Sequence, residues 1–150
     1  METGTQVHSI LSHFLKHKRF PHSQPSHITR HLANFVPYLL KISQPRTEVS
    51  LSSSTYKIRG KADVIGKYEG ENAIIEFKTK QEIQTPEQIQ ELFLQPCAYS
   101  LMKPDHNKLV LLISVQNNQS QAFVSYAHLH KAELLHRIAK YYHTVHNVIK

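Results

Sequence analysis

The chain has 150 residues, with 18 Lys and Arg against 11 Asp and Glu and a single cysteine, Cys97. This length predicts one domain, residues 1–150, that buries most of its unfolded surface without covalent cross-links. One cysteine excludes an internal disulfide, a thiolate-rich zinc site and a four-cysteine iron–sulfur cluster, and it favours an intracellular protein. No apolar run reaches the length of a membrane span and no secretory signal is recognisable, so we expect no membrane partner.

The formal charge of +7 is unevenly distributed along the chain. No acidic residue lies between Glu2 and Glu48, whereas seven of the eleven acids lie between Asp63 and Glu91. A basic N-terminal third is typical of a protein that attracts phosphates, and clustered acids can hold a cation. A mitochondrial transit segment has the same basic, acid-poor composition, so a mitochondrial location stays open beside the cytoplasm or nucleoid of a bacterial or viral system.

The periodicity of the apolar residues predicts nine elements in the order α-α-β-β-β-α-β-β-α. Helices are expected over 7–18, 31–42, 86–102 and 129–149, and strands over 48–53, 55–68, 72–78, 109–115 and 122–126. Pro37 and Pro96 are expected to kink their helices. Thr85 predicts a helix start, because Pro and Gln follow it at the positions of a capping box. The predicted fold class is α/β, with a mixed central sheet flanked by helices.

Three charged residues of the predicted hairpin are the first candidates for chemistry. Glu76 and Lys78 share one face of their strand, and pairing through 69–71 brings Asp63 close to Glu76. A divalent cation such as Mg²⁺ or Mn²⁺ would relieve the repulsion between the two acids, polarise a phosphodiester and activate water. A cross-strand salt bridge on a solvated face explains the same spacing and stays open.

Four sequence elements in a fixed order resemble the PD-(D/E)XK nuclease superfamily, specifically its RecB-like branch. In chain order they are Gly4-Thr5-Gln6-Val7-His8, Gly60-Lys61-Ala62-Asp63, Ile75-Glu76-Phe77-Lys78 and Gln95-Pro96-Cys97-Ala98-Tyr99. The hairpin and helix that follow them are similar to those of the mitochondrial genome maintenance exonucleases and related phage exonucleases. The resemblance covers nearly the whole chain and implies a restriction-endonuclease-like core.

The resemblance also implies roles for individual residues. The implied metal ligands are His8, Asp63, Glu76 and the carbonyl of Phe77, with Mg²⁺ or Mn²⁺ as the cofactor. The implied catalytic residues are Asp63, Glu76, Lys78, Gln95 and Tyr99, and Glu48 matches a position that is often acidic. The implied activity is metal-dependent DNA exonuclease, acting on single-stranded ends in replication, repair or genome maintenance. An endonuclease on structured DNA or RNA, and an idle nucleic-acid-binding module, are the alternatives.

Several basic and aromatic side chains are candidates for nucleic-acid contacts. Candidate phosphate contacts are Lys16, Lys18, Arg19, Arg59, Lys61 and Lys80, although a solvated helix end explains the first three equally well. The histidine pairs 13/17, 27/31 and 128/130 have zinc-like spacings but no cysteine or carboxylate partner. Phe20, Tyr38, Tyr56 and Tyr68 could stack on bases, but core packing is the commoner role. Cys97 is expected to be a small buried residue.

Overall fold

The computed structural model describes residues 2–149, with side chains over 2–144. The helices are α1 (Thr3–His17), α2 (Ser26–Leu39), α3 (Pro86–Met102) and α4 (Lys131–Ile149), and a short 3₁₀ helix covers Ala127–Leu129. The strands are β1 (Ile42–Ser53), β2 (Ile58–Tyr68), β3 (Glu71–Lys80), β4 (Lys108–Val115) and β5 (Gln119–Tyr126). They form one five-stranded sheet in the order β1-β2-β3-β4-β5. The α/β class and the order of the nine predicted elements are confirmed.

The sheet is mixed because α3 carries the chain from β3 to β4. These two strands pair in parallel, and a parallel pair needs a crossover segment of this kind. The three other neighbouring pairs are antiparallel hairpins. The β2–β3 hairpin turns through Glu69 and Gly70, whose φ angles of 51° and 86° match a two-residue turn with both central residues left-handed. That turn fixes the register in which Asp63 and Glu76 come together.

Two apolar cores lie on opposite faces of the sheet. One lies between the sheet and the pair α1 and α2, and includes Leu11, Phe35 and Phe77. The other lies between the sheet and α3, with Leu134 from α4, and includes Phe93 and Cys97. Every residue of β4 is buried, as expected for a strand covered on both faces. No helix among the described residues is both long and apolar enough to cross a membrane.

Several predicted boundaries were wrong. The helix predicted over 31–42 begins five residues earlier, because Pro25 stands at the N-cap and starts the helix instead of ending a loop. The strand predicted over 48–53 begins at Ile42, beyond an irregularity that contains Pro45. The residues 54–57 form the turn between β1 and β2. Pro37 lies within α2 and Pro96 within α3, and the kinks expected at them stay predictions.

Candidate active site

The first unusual feature of the site is a change of face in the β1–β2 hairpin at Glu48 and Asp63. Residues two apart in a strand normally share a face, yet Val64 packs into the core beneath α1 while Ala62 packs into the core beneath α3. Glu48 lies across from Asp63 in the register, and its φ of 56° is left-handed. The change of face places Asp63 at the boundary between the two layers rather than within either core.

Two carboxylates continue the hydrogen-bonding ladder where the β2 and β3 backbones separate. The regular pairing of these strands ends at Val64 and Ile75. Beyond that point Asp63 Oδ2 accepts a hydrogen bond from the Phe77 amide at 2.9 Å, and Glu76 Oε1 accepts one from the Asp63 amide at 3.3 Å. The predicted proximity of Asp63 and Glu76 is therefore confirmed, and backbone amides hold both side chains in place.

His8 lies on α1 and reaches this pair of carboxylates from the face of the sheet opposite to α3. Its Nε2 lies 2.7 Å from the Phe77 carbonyl oxygen and 3.1 Å from Asp63 Oδ2. Its Nδ1 lies 2.7 Å from the carbonyl oxygen of Gly4, one helical turn earlier, which fixes the orientation of the ring. A Cβ on Gly4 would lie 3.1 Å from Thr79 Oγ1, so the glycine lets the first turn of α1 lie close against β3. These contacts explain the spacing of Gly4 and His8 in the sequence.

The charged groups of this cluster perturb one another. Burial opposes protonation of His8, but its hydrogen bond to Asp63 and the charge of that carboxylate outweigh burial and raise the pKa of His8 to about 8. The same contact outweighs burial at Asp63 and lowers its pKa. Glu76 is 3 % exposed, and burial followed by the charge of Asp63 raises its pKa well above the ordinary value. A buried carboxylate beside another carboxylate is a costly arrangement that a cation would relieve.

Lys78 lies on the α3 side of the sheet, two residues after Glu76 on the same strand. Its Nζ donates a hydrogen bond to Gln95 Oε1 at 3.1 Å, so α3 holds the amine near the carboxylates. The salt bridge that the spacing left open is not formed by Lys78 among the described residues, whose ion pairs involve other cations. Gln95 itself is exposed, so the amine it holds faces solvent rather than the core.

Tyr99 lies one helical turn after Gln95, but it points into the protein. The side chain is 5 % exposed, and its ring lies against Gly60, where an added Cβ would be 2.7 Å from Cε1. Burial, followed by the negative charges of Glu76 and Asp63, raises its pKa to about 12. Tyr99 is therefore a buried neighbour of the cluster, and its catalytic role stays a prediction.

An open cleft of about 830 Å³ runs along α1 and reaches His8 and Asp63. We refer to it as the α1 cleft. Its other lining residues are Glu2, Gly4, Thr5, Ser9, Ser12, His13, Lys16, His17 and Glu48. Ser12 and His13 line the cleft but are not among the site residues predicted from the sequence. Helical spacing could have predicted Ser12, because residues 8, 12 and 16 are each one turn apart and share a face of the helix.

The predicted phosphate contacts do not form a single surface. Lys16 lines the α1 cleft, and Lys61 Nζ lies 3.4 Å from Glu48 Oε2 at its edge. The other four lie elsewhere: Lys18 at the C-terminal end of α1, Arg19 beside Phe20 and Pro21, Arg59 beside Ser52, and Lys80 in a second cleft at the end of β3.

Most remaining candidates have structural contacts. Tyr68 and Cys97 are buried, as core packing predicts, and Phe20 stacks on Phe14 at 4.4 Å between ring centroids. His31 contacts Ser114, and His130 contacts Ser125.

The donor set of the cluster is of a kind that Mg²⁺ and Mn²⁺ accept. Among the described residues, no three His, Cys, Asp or Glu side chains are arranged as an assembled metal centre. Two carboxylates, a backbone carbonyl and one imidazole nitrogen nevertheless meet here, and the oxygen donors among them are hard ligands that suit these cations. The distances from His8 Nε2 to Phe77 O and Asp63 Oδ2, 2.7 and 3.1 Å, are close to the roughly 3 Å between adjacent ligands of an octahedral Mg²⁺ site. His8, Asp63, Glu76 and the Phe77 carbonyl are thus the groups that could hold such an ion.

Comparisons with known proteins identify similar folds. No protein-family model matches the chain, and no curated protein matches it. A crystal structure named "Putative exonuclease" from Eubacterium rectale superposes with a TM-score of 0.59 over 92% of this chain and 64% of its own, at 13% identity. The crystal structure of the protein SSO0001 superposes with a TM-score of 0.50 over 77% of this chain and 59% of its own, at 23% identity. The chain thus spans about three fifths of each neighbour's length and shares their α/β architecture.

Proposed function

We propose that the protein is a metal-dependent nuclease that hydrolyses phosphodiester bonds in DNA. One observation carries the proposal: a helix and two strands bring His8, Asp63, Glu76 and the Phe77 carbonyl together, and two of these groups, His8 and Asp63, line an open cleft. Groups of these types, gathered where a long polyanion can enter, are the requirements of phosphodiester hydrolysis. The fold shared with the Eubacterium rectale protein, whose name describes an exonuclease, supports the same reaction class.

The proposed metal ligands are held by the rest of the fold. The Phe77 and Asp63 amides fix the two carboxylates, and the Gly4 carbonyl orients His8 through Nδ1 so that Nε2 faces the cluster. When bound, Mg²⁺ or Mn²⁺ would polarise the phosphodiester and lower the pKa of the attacking water. Asp63 and Glu76 would then both be negatively charged beside the cation. The cation would relieve the repulsion between them, and this relief would increase the affinity of the site for the metal.

Lys78 supplies the positive charge that hydrolysis needs outside the ligand set. Its Nζ is held by Gln95 on the solvent side, where it can donate a hydrogen bond to the attacking water or to a phosphate oxygen. Tyr99, buried one turn along α3, supports the helix that presents Gln95. In this proposal β2, β3 and α1 provide the metal ligands, β3 provides the amine of Lys78, and α3 provides the Gln95 amide that orients it.

The substrate proposal rests on charge and on the shape of the cleft. The α1 cleft is open along its length and carries Lys16 on the same helix face as His8, which suits a backbone that passes through it. We propose single-stranded DNA ends as the substrate and exonuclease action as the mode, in replication, repair or genome maintenance. The sequence resemblance to the RecB-like branch supports these finer points.

Isosteric variants of the cluster test the proposal. Asp63→Asn and Lys78→Met should each reduce Mn²⁺-dependent digestion of end-labelled single-stranded DNA at least 100-fold, because each removes a group that acts on the transition state. Asp105→Asn and Lys67→Met, which lie away from the cluster, are matched controls and should retain full activity. Manganese should raise the unfolding temperature of the wild type but not that of Asp63→Asn.

The choice of substrates separates the alternatives. Digestion of linear single strands but not of circles supports exonuclease action, whereas cleavage of circular DNA would replace it with endonuclease action. Preference for RNA would change the substrate class. Retention of activity by Asp63→Asn or Lys78→Met would remove the cluster from the reaction.

A further inference from the structure

A second cleft, of about 470 Å³, lies at the C-terminal ends of β3 and β4 and at the start of α2. We refer to it as the α2 cleft. Its lining residues are Thr3, His27, Arg30, His31, Thr79, Lys80, Gln81, Val115, Gln116, Asn117 and Asn118. No acidic side chain lines it among the residues that the structure describes. The cleft combines cations, amides and hydroxyls, which is the composition of a site for an anion with many oxygen acceptors.

The two cations of the α2 cleft are not used inside the protein. The ion pairs found over residues 2–144 involve neither Arg30 nor Lys80. Arg30 is exposed and Lys80 is half-buried, so both can meet a ligand from solvent. A guanidinium and an ammonium on two walls of one cleft, with His27 beside them, make the cleft electropositive.

The floor of the α2 cleft presents a hydrogen-bond donor fixed by a buried network. Asn34 Nδ2 donates to Ser114 Oγ at 2.9 Å and to the Gln119 carbonyl at 3.1 Å, so its amide orientation is fixed. The Ser114 hydroxyl is fully buried and lies 2.6 Å from His31 Nδ1, and no other acceptor for its proton is found among the described residues, so it donates that proton to Nδ1. The neutral His31 ring therefore carries its proton on Nε2. Every fully buried side-chain nitrogen within the described chain has a partner, and no partner is found for Nε2, so Nε2–H faces the opening of the cleft.

The α2 cleft adjoins the candidate active site. Thr3 lines the α2 cleft, while Gly4, the next residue, lines the α1 cleft, so only the first turn of α1 separates the two. Lys80 follows Lys78 by two residues on β3, a distance of about 7 Å along a strand. Phosphates of one nucleic-acid strand are spaced a few ångströms apart, so a strand held at Lys78 reaches the α2 cleft within a few nucleotides.

We propose that the α2 cleft binds backbone phosphates of the nucleic-acid strand that is cut, with Arg30 and Lys80 as the charged contacts and His31 Nε2–H as the fixed donor. This inference rests on the proposed nuclease function and adds to it a second phosphate-binding surface on the far side of the first turn of α1. The cleft makes no contact with bases in this proposal, so it contributes affinity and strand direction rather than sequence specificity.

A matched pair of double variants tests the proposal. Arg30→Gln/Lys80→Gln removes both charges of the α2 cleft, and Arg46→Gln/Lys67→Gln removes the same charges from a cavity near the other end of β3. Binding of a fluorescein-labelled 12-nucleotide single strand is measured by anisotropy in EDTA across a range of salt concentrations. The first variant should bind at least tenfold more weakly, with a salt slope smaller by about 1.4 for two lost phosphate contacts. The second should resemble the wild type.

A second readout reports on the floor of the cleft. Addition of the DNA should shift the ring ¹⁵N and Nε2 proton signals of His31, whereas those of His130, whose Nε2 lies 2.7 Å from Ser125 Oγ, should stay in place. Equal effects of the two double variants, or an unmoved His31, would overturn the proposal. Competition by poly-glutamate as strong as that by DNA would also overturn it.

The failure of the proposed function is distinguishable from these outcomes. Cleavage of the same strand by the wild type in Mn²⁺ is measured in parallel with binding. A wild type that cleaves while the α2-cleft variant binds normally refutes the second surface alone. A wild type that neither binds nor cleaves any nucleic acid refutes the nuclease function and the inference with it.

Discussion

Alanine at position 60 should destabilise the protein through one contact, with the ring of Tyr99. A Cβ on Gly60 would lie 2.7 Å from Tyr99 Cε1 and 3.1 Å from its hydroxyl oxygen. Carbon atoms normally approach to about 3.5 Å, so the overlap is roughly 0.8 Å. Tyr99 packs within the core beneath α3 and has little room to retreat. Overpacking of this kind costs about 1–3 kcal/mol, which corresponds to a fall of roughly 2–12 °C in Tm for a chain of this size.

A double-mutant cycle isolates that contact. Gly60→Ala is compared by denaturant unfolding in the wild-type background and in a Tyr99→Leu background, where the ring is absent. The alanine should cost at least 1 kcal/mol less in the second background, because residues in contact are coupled. Gly70→Ala is the control. Gly70 has a φ of 86° and open space around it, so an alanine there destabilises the protein only through backbone strain, and the loss of stability should be equal in both backgrounds. Equal costs of Gly60→Ala in the two backgrounds would refute the reasoning.

Two further predictions concern the charged cluster in the metal-free protein. Glu76→Gln should raise the free energy of unfolding by about 0.5–2 kcal/mol in EDTA, because it removes a buried carboxylate that burial and Asp63 both disfavour. Glu76→Gln should also abolish stabilisation by Mn²⁺. The control Glu71→Gln, at an exposed position, should neither raise the free energy of unfolding nor abolish that stabilisation. A Glu76→Gln protein less stable than the wild type would contradict the electrostatic account. The pKa of His8 rises from 6.5 to about 8 on folding, so protonated His8 adds about 2 kcal/mol to the free energy of unfolding. This stabilisation is fully present below pH 6.5 and is lost as the pH rises through 8. Unfolding in EDTA at pH 6.5 and 9 should show this loss in the wild type and not in His8→Gln, and an equal loss in both would exclude His8 as its source.

The sequence predicted the type and order of the elements because their signals are local. Apolar spacing identified the helices, and the capping box at Thr85, in which its side chain accepts from the Gln88 amide at 3.2 Å, was readable from the residue types alone. The start of β1 was wrong because it depends on a distant partner. The extension of β1 back to Ile42 requires pairing with the end of β2, and no pattern within residues 42–47 indicates it.

The candidate site divides in the same way. The proximity of Asp63 and Glu76 was predictable, because a two-residue turn sets the register of a hairpin. The direct contact of His8 with Asp63 was not predictable from periodicity, because it joins α1 to β2 across 55 positions of the chain and came only from the resemblance. The α2 cleft was missed, since its cations come from α2 and β3 and its floor depends on a buried contact between His31 and Ser114.

The change of face at Glu48 and Asp63 explains why the site can combine groups from both layers. A sheet separates the helices on its two faces, and a strictly alternating strand offers each side chain to only one of them. His8 comes from the α1 layer, whereas Lys78 and its partner Gln95 lie on the α3 side. Asp63 contacts His8 and the β3 backbone together because it stands where the ladder opens. A left-handed residue at Glu48, which costs on the order of 1 kcal/mol, is therefore the local strain that allows one carboxylate to join the two halves of the site.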